Sequence, residues 1–345
     1  MDFSRKLIEW YLRDGRDLPW RQTKDPYKIW VSEIILQQTR VAQGMEYYFR
    51  FIERFPDVKV LAAASEDEVL KLWQGLGYYS RARNMREAAK SVAEKFGGVF
   101  PKEYADVRAL KGVGDYTAAA ICSFAYDLPY PAVDGNAYRV LSRVFRVDDC
   151  IDTPQGKRAF AELSLEVMDK RRPALYNQAM MDLGATVCLP AAPDCEACPL
   201  KEGCALSGSS EVSDYPKKGK KVVSRDRYFV YLAVEDGGKT YLRRREGKDI
   251  WKGLYEYPMV ELPAPLSEMA DQAWMTPLAE EFSDLLLLGE PVMKKHVLTH
   301  QNIHAVFFRA EGHFLRRADS VYIEVEKEKL GEYAVSRLME RYLSE

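Results

Sequence analysis

Leu110-Lys-Gly-Val-Gly-Asp-Tyr-Thr117 joins one helical stretch to another. Gly112 and Gly114 flank a single valine, and glycine readily takes the positive φ that a tight turn demands. The second helix is predicted to begin near Tyr116, so the amides of the turn face outward at a helix N-terminus. Such a turn binds anions without a basic side chain, because unsatisfied N–H groups and the helix dipole both attract negative charge. The same pattern also serves as an ordinary helix–helix connection, so its surroundings must decide between the two uses.

Outward from the hairpin the chain reads as helix. Apolar residues recur at spacings of three and four, as in Ile8, Tyr11 and Leu12, or Val140, Leu141, Val144 and Phe145. Short loops with Gly, Pro and Asp separate the segments up to residue 205, and β-branched alternation is scarce. Upstream lies Ile29-Trp-Val-Ser-Glu-Ile-Ile-Leu-Gln-Gln-Thr39. On a helix, Glu33 lies three and four residues from Trp30, Ile29, Leu36 and Gln37, a largely apolar stripe. Desolvation raises a carboxyl's pKa, and a carboxylic acid kept protonated near neutrality can serve as a general acid. A glutamate at the solvent edge of that helix is the plain alternative. Downstream, Asp134 in Ala132-Val-Asp-Gly-Asn136 precedes the helix of Val140 and Leu141. Its ordinary role there is an N-cap. Paired carboxyls, one protonated and one ionised, are also what hydrolysis at an anomeric carbon requires.

Cys188, Cys195, Cys198 and Cys204 fall within one short stretch, with six, two and five residues between them. Structural zinc usually takes two close pairs. Only one C-x-x-C occurs here, and a [4Fe–4S] cube, with one thiolate at each corner, suits the uneven spacing better. Four buried thiols or a zinc knuckle are the competing readings. Cys122 and Cys150 stand apart as core or surface thiols.

Residues 206–224 are rich in Ser, Gly and Lys and read as a linker. Beyond it the pattern alternates. Residues 227–234, Gly237-Gly238 and residues 240–243 read as a β-hairpin; residues 267–287 are predicted helical, 304–309 a strand and 332–343 a closing helix. This part is α/β or α+β. The domains expected are therefore a helical 1–205, a linker at 206–224 and a second domain at 225–345.

Composition agrees with two folded domains. The chain has 345 residues, 47% of them hydrophobic and 30% charged, which excludes disorder and collagen. The formal charge of −2 runs against nucleic-acid binding for the chain as a whole. A local basic run stands out, with Lys217, Lys218, Lys220, Lys221, Arg225 and Arg227 against the single acid Asp226. It is either a solvated linker or a phosphate contact. The first residues carry no apolar signal region, and no apolar run reaches membrane-spanning length. An intracellular, cytoplasmic protein with no membrane association is expected. Reduced thiols there favour metal over disulfides.

Taken together, the chain resembles the adenine DNA glycosylases of the helix-hairpin-helix glycosylase superfamily. The likeness covers nearly the whole chain. It is carried by Leu18-Pro-Trp-Arg21, Ser32-Glu-Ile-Ile-Leu-Gln-Gln-Thr39, Gly75-Leu-Gly-Tyr-Tyr79, the hairpin, Val133-Asp-Gly-Asn136 and the four-cysteine loop. The resemblance implies a bilobal helical domain with its active site in a cleft and an iron–sulfur loop at 188–204. The partner it implies is double-stranded DNA holding adenine opposite 8-oxoguanine or guanine, with the protein acting as a monomer. Glu33 would protonate adenine N7, and Asp134 would stabilise the oxocarbenium ion or bond briefly to the sugar. Gln38 would fill the gap left by the flipped base, and Tyr78 or Tyr79 would stack beside the lesion. Arg21 and Asp182 would line the adenine pocket, with Asn136 and Tyr116 near the sugar. Related bifunctional enzymes place a lysine at position 116 and form a Schiff base. Tyr116 cannot, so a monofunctional hydrolase is expected.

The second domain resembles the family's Nudix-like recognition domain through Trp251-Lys-Gly-Leu-Tyr-Glu-Tyr-Pro258. It lacks the metal box of true Nudix hydrolases, which excludes nucleotide pyrophosphatase chemistry by that route. Leu298-Thr-His300 stands where the family often has Phe-Ser-His, making Thr299 and His300 the expected lesion contacts.

Overall fold

A computed structural model describes residues 2–219, 223–269 and 274–344. The chain clusters into two compact units, Met1–Ala63 with Glu87–Lys220 and Ala64–Arg86 with Lys221–Glu345.

Helices follow one another from the start: α1 (Phe3–Asp14), α2 (Pro26–Leu36), α3 (Val41–Arg54), α4 (Val58–Ala63), α5 (Glu66–Trp73), α6 (Ser80–Lys95), α7 (Tyr104–Ala109), α8 (Asp115–Tyr126), α9 (Gly135–Phe145), α10 (Pro154–Val167) and α11 (Pro173–Thr186). Their ends follow local chemistry. Asp25, Thr153 and Asp134 accept hydrogen bonds from the first-turn amides of α2, α10 and α9, and proline opens α2, α10 and α11. In the first unit α1, α9 and α11 close a core around Leu7, Val140, Leu141, Tyr176 and Leu183. None of the helices among the described residues is long and apolar enough to cross a membrane.

The second unit adds a seven-stranded sheet among the described residues. Its strands are β1 (Arg225–Asp236), β2 (Lys239–Arg244), β3 (Tyr255–Glu256), β4 (Met259–Leu262), β5 (Phe282–Val297), β6 (Gln301–Phe314) and β7 (Tyr322–Glu326). The order is β3-β2-β1-β6-β5, with β4 also paired to β1 and β7 to β2; β1 and β6 run parallel. One face packs on α13 (Arg337–Leu343) through Phe229, Tyr231, Phe307 and Leu338. The other packs Val230, Leu232 and Ala310 against Trp274 and against Leu278 in α12 (Thr276–Ala279).

Three expectations change here. Residues 267–287 do not form one helix. The stretch instead takes in the end of a 3-10 turn (Leu266–Glu268), the short α12 and the start of β5, while 270–273 lie outside the described residues. The Leu285–Leu288 run has no period to choose by, and β6 supplies the partner that turns it into strand. Asp284 and Gly289 take φ of 54° and 65° at the bulges, a conformation no helix interior accepts. The closing helix is shorter than 332–343, because Ser336 caps it. The expected linker also starts late. Residues up to 219 lie on the first unit: Tyr215 is buried, its carbonyl accepts from Arg143 Nε at 3.2 Å, and Lys217 O accepts from Ile151 N at 3.1 Å.

Candidate active site and cysteine loop

Nearly every residue from Tyr27 to Ile35 on α2 is buried, so Glu33 has little water. Its exposure is 7%. Burial pushes its carboxyl up to about 7, Asp134 adds to the rise, and a hydrogen bond from Tyr116 opposes it. That bond runs from the Tyr116 hydroxyl to Glu33 Oε2 at 2.6 Å. Tyr116 sits in the first turn of α8, so the turn that ends the hairpin also delivers a donor to the buried acid.

Asp134 is both a cap and a member of the site. Its Oδ1 accepts from Ala137 N at 2.8 Å and its Oδ2 from Asn136 Nδ2 at 2.8 Å. Burial raises its pKa, and these donors limit the rise without cancelling it. Hydrogen bonds donated to a carboxylate favour its charged form, so the Ala137 and Asn136 donors work against the desolvation. Asn136 is fixed in turn by Arg139, whose Nη2 donates to Asn136 Oδ1 at 2.8 Å while its Nε donates to Cys188 O at 2.7 Å. Gly184 of α11 lies against Asn136, and a Cβ there would come within 2.4 Å of the Asn136 Cβ.

Asp182 is fully buried. Arg21 donates to both its oxygens at 2.7 and 2.6 Å, and Arg16 adds side-chain and backbone donors. Burial pushes Asp182 up, but these guanidinium bonds outweigh it and leave the group below its usual range. The Arg21 guanidinium also lies 5.4 Å over the Tyr11 ring. Gln178 was missed from the sequence. Its Oε1 accepts from the Tyr11 hydroxyl at 3.0 Å, and it lines the same cleft as Arg21. The available signal was its place one turn before Asp182 on α11.

Glu33, Asp134, Asn136, Tyr116, Arg21, Gln38, Gly112 and Gly114 all line one open cleft of about 1730 Å³ in the first unit. Gly112 takes φ of 80°, while Gly114 is extended and precedes α8. So one glycine of the pair, not both, supplies the left-handed turn. Gln38 follows the end of α2, exposed and with φ of 58°.

The second unit separates the two tyrosines. Tyr79 is buried, with its hydroxyl donating to Val335 O. Tyr78 is 51% exposed, and its hydroxyl lies 2.9 Å from Thr299 Oγ1. Only Tyr78 presents a ring that a base could meet. Thr299 and His300 are exposed at the β5–β6 turn, and the His300 carbonyl accepts from Arg225 N.

Cys188, Cys195, Cys198 and Cys204 line one small cavity between the ends of α9 and α11. Among the described residues no three Cys, His, Asp or Glu side chains close on a single ion. One zinc draws its thiolates to ~2.3 Å from a common centre, whereas a cube with an iron at each corner spreads them. Four cysteines lining one small apolar cavity are a donor set that could take the corners of such a cube. Buried Arg143 braces the loop, donating to Leu189 O at 2.6 Å, Pro190 O at 2.7 Å and Cys188 Sγ at 3.5 Å. Its charge would offset that of cysteines ligating a cluster.

A helical unit with a glycine hairpin, a buried acid and a capped aspartate on one cleft defines a DNA-glycosylase architecture. Residues 31–164 match the HhH-GPD superfamily of base excision DNA repair proteins, and residues 229–345 match the NUDIX domain. The chain is 34% identical over 305 residues to an adenine DNA glycosylase of Buchnera aphidicola, covering 88% of this chain and 84% of that one. It is 35% identical to the adenine DNA glycosylase of Rattus norvegicus, covering 86% and 68%. A thermostable thymine-DNA glycosylase structure superposes with a TM-score of 0.56 at 28% identity, over 60% of this chain and 95% of that one. The chain belongs to the adenine DNA glycosylase family, enzymes that hydrolyse N-glycosidic bonds in base excision repair.

Proposed function

We propose that this chain is a monofunctional hydrolase that removes adenine mispaired with 8-oxoguanine, or with guanine, from duplex DNA. The observation that carries the reading is Glu33. It is a buried carboxyl raised to about 7, beside a hydrogen-bonded Asp134, on the wall of an open cleft.

The flipped adenine enters the cleft, at an unstacking cost of a few kcal/mol. Gln38 fills the gap it leaves. Arg21, held by Asp182, and Gln178 line the base pocket. Glu33 gives its proton to adenine N7, which makes the base a better leaving group. Asp134 supplies fixed negative charge where the sugar becomes cationic. Water then completes the hydrolysis, with Tyr116 and Asn136 holding the two carboxyls in place. No amine stands at position 116 to trap the sugar as a Schiff base.

Cys188, Cys195, Cys198 and Cys204 hold a [4Fe–4S] cluster that stabilises the loop behind α9. The second unit reads the opposite base through Tyr78, Thr299 and His300, and the protein acts as a monomer.

Incubating the protein with a duplex holding adenine opposite 8-oxoguanine tests this reading. Free adenine should appear, with strand breakage only after alkali. Strand cleavage without alkali would point to a lyase instead.

A further inference from the structure

Asp115 opens α8 immediately after the hairpin, on the rim of the cleft. Its side chain is 83% exposed. A carboxylate in the first turn suits the helix, because it answers the dipole. For a turn whose amides must receive an anion it is adverse, since it competes for those amides and repels the ligand. Arg108 of α7 meets both problems. Its Nε donates to Asp115 Oδ1 at 2.5 Å, and its Nη1 donates to Val113 O at 2.9 Å, inside the hairpin. The Tyr104 hydroxyl adds a bond to the Asp115 carbonyl at 3.4 Å. An exposed ion pair contributes little to stability, so the consequence of this one lies in the local field.

We propose that Arg108 is a positioning residue for duplex binding: it neutralises Asp115 and draws its carboxylate off the hairpin amides, leaving them free for a backbone phosphate. This rests on the reading of the cleft as a duplex-DNA site. It also accounts for how a chain of net charge −2 tolerates an acid at its phosphate grip.

The test measures equilibrium binding to a duplex carrying a non-hydrolysable adenine nucleotide opposite 8-oxoguanine, over a range of salt. The proteins are wild type, Arg108→Gln, Asp115→Asn and the double variant. Glutamine keeps an amide donor for Val113 O while losing the charge. Arg108→Gln should weaken binding on the order of 10-fold at low salt and less at high salt, as screened charges require. Asp115→Asn should bind at least as tightly as wild type. The double variant should recover to within about 3-fold of Asp115→Asn, the margin expected when the two residues act on each other. Single-turnover excision at saturating enzyme should be unchanged in all four. A double variant as weak as Arg108→Gln would show Arg108 gripping phosphate itself and overturn the proposal, as would unaltered binding by Arg108→Gln. Wild type that binds no adenine-containing duplex would overturn the underlying reading instead.

Discussion

The Tyr116 hydroxyl donates to Glu33 Oε2 at 2.6 Å, tying the buried acid of α2 to the helix that the hairpin starts. The bond lowers a pKa that burial raises to about 7. The base-releasing rate should therefore fall as pH climbs through about 7, where Glu33 loses its proton. Tyr116→Phe removes the donor to the ionised form and should move that limb to higher pH. Glu33→Gln should lose at least ~10²-fold in single-turnover rate. A rate that stays flat from pH 6 to about 9 would rule out Glu33 as the acid.

The same shift bears on stability. Between the ordinary 4.5 and about 7 the folded chain holds a proton at Glu33 that the unfolded chain releases. Stability from this site is thus full at low pH and is lost as pH rises through 7, by on the order of 3 kcal/mol. Urea unfolding at pH 5 and pH 8 should show wild type losing stability relative to Glu33→Gln. Parallel losses in both proteins would contradict the assignment.

Tyr116 also bears on reaction class. Borohydride should trap little protein–DNA adduct with wild type. Tyr116→Lys should trap more, because an amine would then stand beside the sugar site. Efficient trapping by wild type would direct attention to another lysine and to lyase chemistry.

The cysteine loop makes a separate prediction. Anaerobically purified protein should be brown and hold about four irons per chain. Removing the iron, or replacing Cys198 by Ser, should lower thermal stability, since metal binding and folding are linked. Arg143→Met should do likewise, because the Leu189 and Pro190 carbonyls lose their buried donors. Stoichiometric zinc without iron would sink the cluster.

Much of the site was legible because its parts are local in sequence. The hairpin, the Asp134 cap and the cysteine cluster are each patterns confined to a short stretch of chain. Glu33 was legible as an acid among apolar neighbours, but Tyr116 as its partner was not, since no local pattern links residues so far apart. The two roles of Tyr78 and Tyr79 were equally hidden. Adjacent residues differ in burial only once Val335 covers one of them. Residues 282–287 were misread as helix because a leucine run with no period leaves the choice to a strand distant in sequence.

That separation of Tyr78 from Tyr79 shapes the last prediction. Tyr78 has φ of 47° and a half-exposed ring, and its hydroxyl meets Thr299 Oγ1 at 2.9 Å. Thr299 therefore has two possible partners, the Tyr78 hydroxyl and the N7–H that distinguishes 8-oxoguanine from guanine. Thr299→Val removes the Tyr78 bond together with the proposed bond to the lesion, whereas Tyr78→Phe removes only the former and keeps the ring. The quantity to measure is the ratio of adenine excision opposite 8-oxoguanine to that opposite guanine. A lost hydrogen bond of ~1 kcal/mol corresponds to about 5-fold. Thr299→Val with His300→Ala should narrow the ratio by at least that factor, and Tyr78→Phe should narrow it less. If Tyr78→Phe narrows it as far, Thr299 acts by holding the tyrosine rather than by touching the lesion. An unchanged ratio in both variants would show that the β5–β6 turn does not read the opposite base.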